Sequence, residues 1–232
     1  MPRTGRPRAF DREHALLQAM RLFWAHGYES TSISDLKAAM GDISSASFYA
    51  AFGSKESLFE QVVDRYLATH GQVTAPLRDP EAKPREAIER TLRQSARMQT
   101  DNSHPLGCLV ALSTATCAAQ NAHIQTLLAA RRANDRAALE NCLCRAVASG
   151  ELPSDTDVTA LATVFSTFLF GLSIQARDGV SLETLDLAIT QLVAIWGRSK
   201  RASRTRVANK ANSTGARSPA AFASKGSGLS GR

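Results

Sequence analysis

Strand signals are missing from this 232-residue sequence: nowhere do β-branched and polar residues alternate between hairpin turns, which argues against a sheet. Long apolar runs are missing too, since none approaches the ~18 uninterrupted residues that a membrane helix needs. The most apolar stretch, Val158 to Ile174, is broken by Thr159, Thr163, Ser166, Thr167 and Ser173, which suits a buried interface helix better than lipid. Residues Met1 to Arg8 lack the apolar core of a signal peptide, so a cytoplasmic protein with no membrane partner is expected. The four cysteines, Cys108, Cys117, Cys142 and Cys144, lack Cys-x-x-Cys spacing and read as neither a disulfide framework nor a zinc site. Catalytic signatures are absent as well: there is no Gly-rich phosphate loop, no H-E-x-x-H and no G-x-S-x-G, and the five histidines are scattered. No metal, no cofactor and no enzymatic activity are expected.

Acid is what the C-terminal end lacks. Of the net charge of +7, nine Lys or Arg fall between Arg198 and Arg232 with no Asp or Glu, leaving residues 1–197 at about −2. A smaller basic cluster, Arg3, Arg6 and Arg8, opens the chain. Basic ends on a near-neutral body suit phosphate contact, because Lys and Arg gain by releasing condensed counterions. The plainer alternative for the tail is a solubilising segment. Its Ser, Ala, Gly, Lys and Arg composition buries too little to offset ordering entropy, so disorder is expected from 198 to 232.

What is present is helical periodicity from end to end. Asp11 serves as a cap for a helix presenting Leu16, Ala19, Met20, Phe23 and Trp24, closed by Gly27. Ser32 with Asp35 matches a capping pattern ahead of Ile33, Leu36 and Met40, and Gly41-Asp42 ends that short helix. Another begins near Ser45, with Phe48 and Phe52 on one face, and Ser54 caps the next, which carries Leu58, Phe59, Val62, Val63 and Tyr66 to about residue 75. Longer helices are expected at about 84–101, 106–119, 122–149, 155–177 and 181–197, separated by Pro and Gly breaks. Two short helices joined by a glycine turn and packed on a longer one make a helix-turn-helix. Its second helix turns Phe48 and Phe52 inward, leaving Ser45, Ala46, Ser47, Tyr49 and Ala50 to face a major groove. Lys55 adds positive charge at a helix N-terminus, where N–H groups already favour anions.

The stretch Gly27 to Leu36, followed by Ser47-Phe48-Tyr49-Ala50-Ala51-Phe52-Gly53-Ser54-Lys55-Glu56-Ser57-Leu58-Phe59, closely resembles the TetR/AcrR family of transcriptional regulators over the first ~65 residues. The resemblance implies an all-α fold of about nine helices, with a three-helix DNA-binding domain ahead of a helical ligand-binding and dimerisation domain. The corresponding segments are a basic arm at 1–9, the DNA-binding domain at 10–56, a regulatory domain at 57–197 and the tail. It implies that Thr31 caps the second helix and touches phosphate, that Tyr49 and Lys55 contact phosphate, and that Arg6 and Arg8 reach the minor groove. The turn before the reading helix is one residue longer than usual, so Ser44, Ser45, Ala46 and Ser47 are all carried as reading candidates.

Apolar residues on the last two helices exceed what a small domain needs, and the family packs those helices into a four-helix dimer interface. Phe168, Leu172, Leu185, Ile189, Leu192 and Trp196 are therefore expected at a homodimer interface, with two reading heads on a palindromic double-stranded operator. The family's inducer pocket lies among the central helices, which makes Met98, Cys108, Leu109, Leu112 and Phe165 candidates for lining it, although ordinary core is the simpler reading of each. Cys108 lies near an expected helix start, where N–H groups would lower its pKa; the alternative is a small buried hydrophobe. The expected function is a repressor released by a small-molecule or reactive inducer. The contrary reading is an architectural protein that binds DNA without sequence preference through its basic tail.

Overall fold

The computed structural model describes residues 10–113 and 118–196, and the basic arm and tail lie outside them. Among the described residues the chain is all helical, as the periodicity indicates. The first four helices are α1 (Arg12–His26), α2 (Ile33–Ala39), α3 (Ser45–Phe52) and α4 (Lys55–Ala68). The regulatory part follows with α5 (Pro84–Gln99), α6 (Leu109–Leu112), α7 (Ala122–Ala148), α8 (Val158–Arg177) and α9 (Leu182–Val193). Short 3-10 segments, His70–Arg78 and Ala119–Asn121, lead out of α4 and into α7.

Local chemistry sets most of these ends. Asp11, Ser54, Asp157 and Ser181 each accept a backbone N–H in the first turn of the following helix, which supplies partners for otherwise orphaned donors. Two expected helices are shorter than the pattern suggests. The one drawn to residue 75 stops at Ala68, where the Thr69 hydroxyl donates back to the Arg65 and Tyr66 carbonyls and the chain tightens into 3-10. The one drawn from 106 to 119 is reduced to Leu109–Leu112, because Gly107 takes φ +82 and Cys108 is extended.

Two apolar cores result. The first joins Phe23, Trp24, Leu36, Phe48, Phe52, Phe59 and Tyr66 and runs on into Leu109, Val110, Ile124 and Leu128. Packing therefore does not stop near residue 56: α4 belongs to the helix-turn-helix core and to the regulatory core above it. The second core gathers Ile88, Leu92, Leu139, Cys142, Phe165, Leu169, Leu172, Leu185, Ile189 and Trp196 from α5, α7, α8 and α9.

Helix α8 is more apolar than expected. A stretch of 18 of its 20 residues reaches a mean hydropathy of 1.6, long and apolar enough by composition to cross a membrane, and no other helix among the described residues does so. One face, through Ala162, Phe165, Leu169 and Leu172, is buried in the second core. The other face carries no charge before Arg177 at its end and exposes Val164 and Ile174, and Leu187 of α9 is 63% exposed. Leu172, Leu185, Ile189 and Trp196, expected to meet a partner, are instead buried inside their own subunit, while Phe168 and Leu192 are half-buried. A 3.6-residue stripe marks an apolar face without naming its partner.

Candidate nucleic-acid interface

The reading head is built on three local devices. Ser32 and Asp35 form a full capping box, the Ser32 hydroxyl accepting from Asp35 N and the Asp35 carboxylate accepting from Ser32 N. Gly41 and Asp42 both take positive φ and turn the chain sharply out of α2. Ser44 then caps α3 by accepting from Ser47 N at 3.1 Å, and its hydroxyl also lies 3.0 Å from the Ser47 hydroxyl. Phe48 and Phe52 bury the inner face of α3, so Ser44, Ser45, Ala46, Ser47, Tyr49 and Ala50 all stand exposed on the outer one. Tyr49 is 49% exposed, which is unusual for a large ring on a helix with a buried partner face.

The structure divides the predicted contacts. Tyr49 and the serines share one outward surface. Thr31, expected to cap α2 and meet phosphate, is 1% exposed and donates to the Gly27 carbonyl at 2.7 Å, so its neighbour Ser32 does the capping. Lys55 is half-buried, its ammonium 4.3 Å from the centre of the Tyr28 ring; burial lowers its pKa and Glu29 opposes that shift. Arg6 and Arg8 lie outside the described residues. Two basic side chains passed over in the sequence stand close to the head. Lys37, in the last turn of α2, donates to the Ser45 hydroxyl at 3.0 Å, and the Arg12 guanidinium covers the Phe52 ring at 5.4 Å. The charge of Lys37 was visible in the sequence, but its approach to α3 depends on the angle between the two helices.

The head joins the regulatory part through a dense contact around Trp24. Its indole N–H donates to the Gly107 carbonyl at 3.0 Å, its ring stacks on His104 with centroids 4.4 Å apart, and His70 and Tyr66 meet it edge-on. Arg177, at the end of α8, donates to the Trp24, Ala25 and Leu106 carbonyls. Gly107 N donates to the Gln99 carbonyl, and the Gln99 side chain accepts from Ser173 and donates to Ser95, all buried. Elsewhere, Glu29 accepts from Ala118 N and the Asn121 amide at 2.7 and 2.8 Å, which lowers its pKa.

Behind this junction lies a small, partly open and largely apolar cavity, lined in part by Tyr66, Met98, Gln99, Cys108, Val110 and Leu169. Of the five residues proposed to line a pocket, Met98 and Cys108 do so; Leu109 and Phe165 are fully buried core, and Leu112 packs near Gly107. Burial pushes the Cys108 thiol up, outweighing the nearby Tyr66 hydroxyl and the N–H groups of Ala111 and Val110, which act in the opposite direction. The expected lowering does not occur. Tyr66, read from the sequence as ordinary core, is the lining residue that sequence reasoning missed.

A sequence model described as "Bacterial regulatory proteins, tetR family" matches residues 15–62, and one described as "Tetracyclin repressor-like, C-terminal domain" matches residues 84–192. The chain belongs to the TetR family. Among its relatives, the HTH-type transcriptional repressor ComR of Escherichia coli K12 is 37% identical over 196 residues, covering 83% of this chain and 91% of ComR. The HTH-type transcriptional repressor BdcR of the same strain is 30% identical, over 78% of this chain and 86% of BdcR. A cysteine-substituted form of the TetR-family regulator CifR, solved with 26-bp double-strand operator DNA, is 39% identical with a TM-score of 0.76; the match covers 83% of this chain and all of CifR. Reduced NemR of E. coli shares the fold, with 22% identity and a TM-score of 0.63 over 78% of this chain and 94% of NemR. This TetR-family chain is thus a helix-turn-helix transcriptional regulator, and its similar proteins are regulators rather than enzymes.

Proposed function

We propose that this TetR-family regulator is a cytoplasmic repressor that binds a palindromic operator as a homodimer and is released by a small-molecule or reactive inducer. The observation that carries the reading is the outer face of α3, where small hydroxyl side chains and one exposed phenol stand clear of a helix buried on its other side. Small side chains let a helix settle into a major groove, where Ser45, Ala46 and Ser47 meet base edges. Tyr49, Lys37 and Lys55 hold phosphates beside them, and Arg6 and Arg8 extend the contact into the minor groove. The complex of CifR with operator DNA and the repressor names of ComR and BdcR support this reading. The outer face of α8, uncharged before Arg177, with Val164 and Ile174, and Leu187 on α9 support a dimer, since a patch of this kind is costly to leave in water. An inducer that prefers the non-binding spacing of the heads draws the dimer off DNA by its differential affinity.

The test is selection of bound fragments from random DNA at physiological salt, using the full chain and a version ending at Gly197. A shared palindromic motif is expected from both, and Tyr49→Ala is expected to weaken binding to it roughly tenfold. Loss of all binding on tail removal, with no enriched motif, would establish the architectural reading instead.

A further inference from the structure

The regulatory cavity contains one polar group with nothing to bond. Tyr66 is 1% exposed, and its hydroxyl has no hydrogen-bond partner among the described residues. Its polar neighbours are the Cys108 thiol and the Leu109 N–H, near enough to act on its proton without completing a hydrogen bond. A buried hydroxyl left unmade forfeits the bonds it had in water, so a group that fills this position is favoured. The other polar atoms of the wall are already occupied. Ser173 donates to Gln99, Gln99 donates to Ser95, and the Thr74 hydroxyl accepts from Arg78. Asp135 is the one carboxylate among the described wall residues, and it is paired with Arg78 at 3.1 Å. The remainder is apolar, with Leu67, Val73, Met98, Val110, Leu169 and Phe170.

Resting on the reading of this chain as a ligand-released regulator, we propose that the cavity binds a small, uncharged, largely apolar molecule carrying one acceptor oxygen, which takes the Tyr66 hydroxyl proton in a hydrogen bond. Each part of that description has a cause. Burial and the nearby Cys108 hold the phenol pKa well above its ordinary value, so at neutral pH it is a donor and never a phenolate. A carboxylate ligand would meet Asp135 and no free cation among the described wall residues, and an ammonium ligand would have to displace Arg78 from its acid. The apolar side chains take the ligand body, and Tyr66 fixes its orientation.

Three probes of similar length separate these features: octan-2-one, n-octane and octanoate, each titrated calorimetrically into the full-length protein and into Tyr66→Phe. The ketone is expected to bind most tightly, with octanoate not binding, and Tyr66→Phe is expected to weaken the ketone about tenfold while leaving the alkane unchanged. Equal ketone affinity in the two proteins, octanoate binding tighter than the ketone, or no ketone binding overturns the proposal. The ranking of the three probes on the unsubstituted protein is decisive even if the variant is poorly folded. Operator affinity without any probe is measured first and is expected to be the same in both proteins. Operator binding that stands while the ketone result fails rejects the ligand class alone; absence of operator binding in the unsubstituted protein rejects the regulator reading.

Discussion

Replacing Trp24 with Phe tests whether the reading head is held by its junction with the regulatory part. The substitution keeps an aromatic ring beside His104 and Tyr66 but deletes the indole N–H that satisfies the Gly107 carbonyl at 3.0 Å. An acceptor left unpaired at a buried site costs about 1–3 kcal/mol. Trp24 is 1% exposed, so the smaller ring also leaves a void, which adds about 1–2 kcal/mol. The expected loss is therefore about 2–5 kcal/mol, read by urea unfolding at fixed protein concentration. Arg177→Ala removes the guanidinium from the carbonyls of residues 24, 25 and 106, and because Arg177 is exposed its own cost is smaller. The two changes act on one junction, so their effects are expected to be non-additive by about 0.5 kcal/mol or more in a double-mutant cycle. A loss under about 0.5 kcal/mol for Trp24→Phe would refute the reasoning, because it would mean that the Gly107 carbonyl finds water or another donor without strain.

Gly107→Ala should destabilise by more than about 1 kcal/mol: the residue sits at φ +82, and an added Cβ would lie 2.5 Å from a Leu112 methyl and 2.9 Å from the Ser173 carbonyl. The readout is the same urea titration. The His70 pKa is lowered by burial first, then by His104 and Arg21, with Asp101 opposing. The unfolded chain therefore takes up a proton more readily than the folded one, and stability present above pH ~6.5 falls as pH drops from there through the lowered folded pKa. His70→Gln is expected to flatten that slope in unfolding curves between pH 7 and 5, and an unchanged slope would remove His70 as its source. Leu187→Glu places a charge at the most exposed large apolar side chain of α9 and should weaken self-association at least tenfold in sedimentation velocity; an unaltered dimer would place the interface elsewhere.

The head was legible because its determinants are local. Asp11, Ser32 and Ser54 cap the helices they precede, and Phe48 and Phe52, four apart, leave one outer face by geometry alone. Thr31 was misassigned because adjacent hydroxyls compete for one cap, and only the chain path shows that Thr31 turns back to Gly27. The regulatory part was legible as helices but not as faces. Leu185 and Ile189 read as surface for a partner and are core, whereas Leu187 between them is exposed, a difference set by how α9 is rotated against α5. The cavity was legible only in part, through Met98 and Cys108. Tyr66 continues the same apolar stripe as Val62 and Val63, and its unbonded hydroxyl becomes visible only once α6 is seen to be a single turn.

The reading head is tied to the regulatory part at two separated places, Trp24 against Gly107 and Glu29 against Ala118 and Asn121. A body hung from one pin can swing, but a body hung from two cannot turn without moving the frame that carries both. The pitch of α3 is therefore coupled to the spacing between the 101–108 loop and the start of α7, and a change in that spacing is expected to shift the head together with α4.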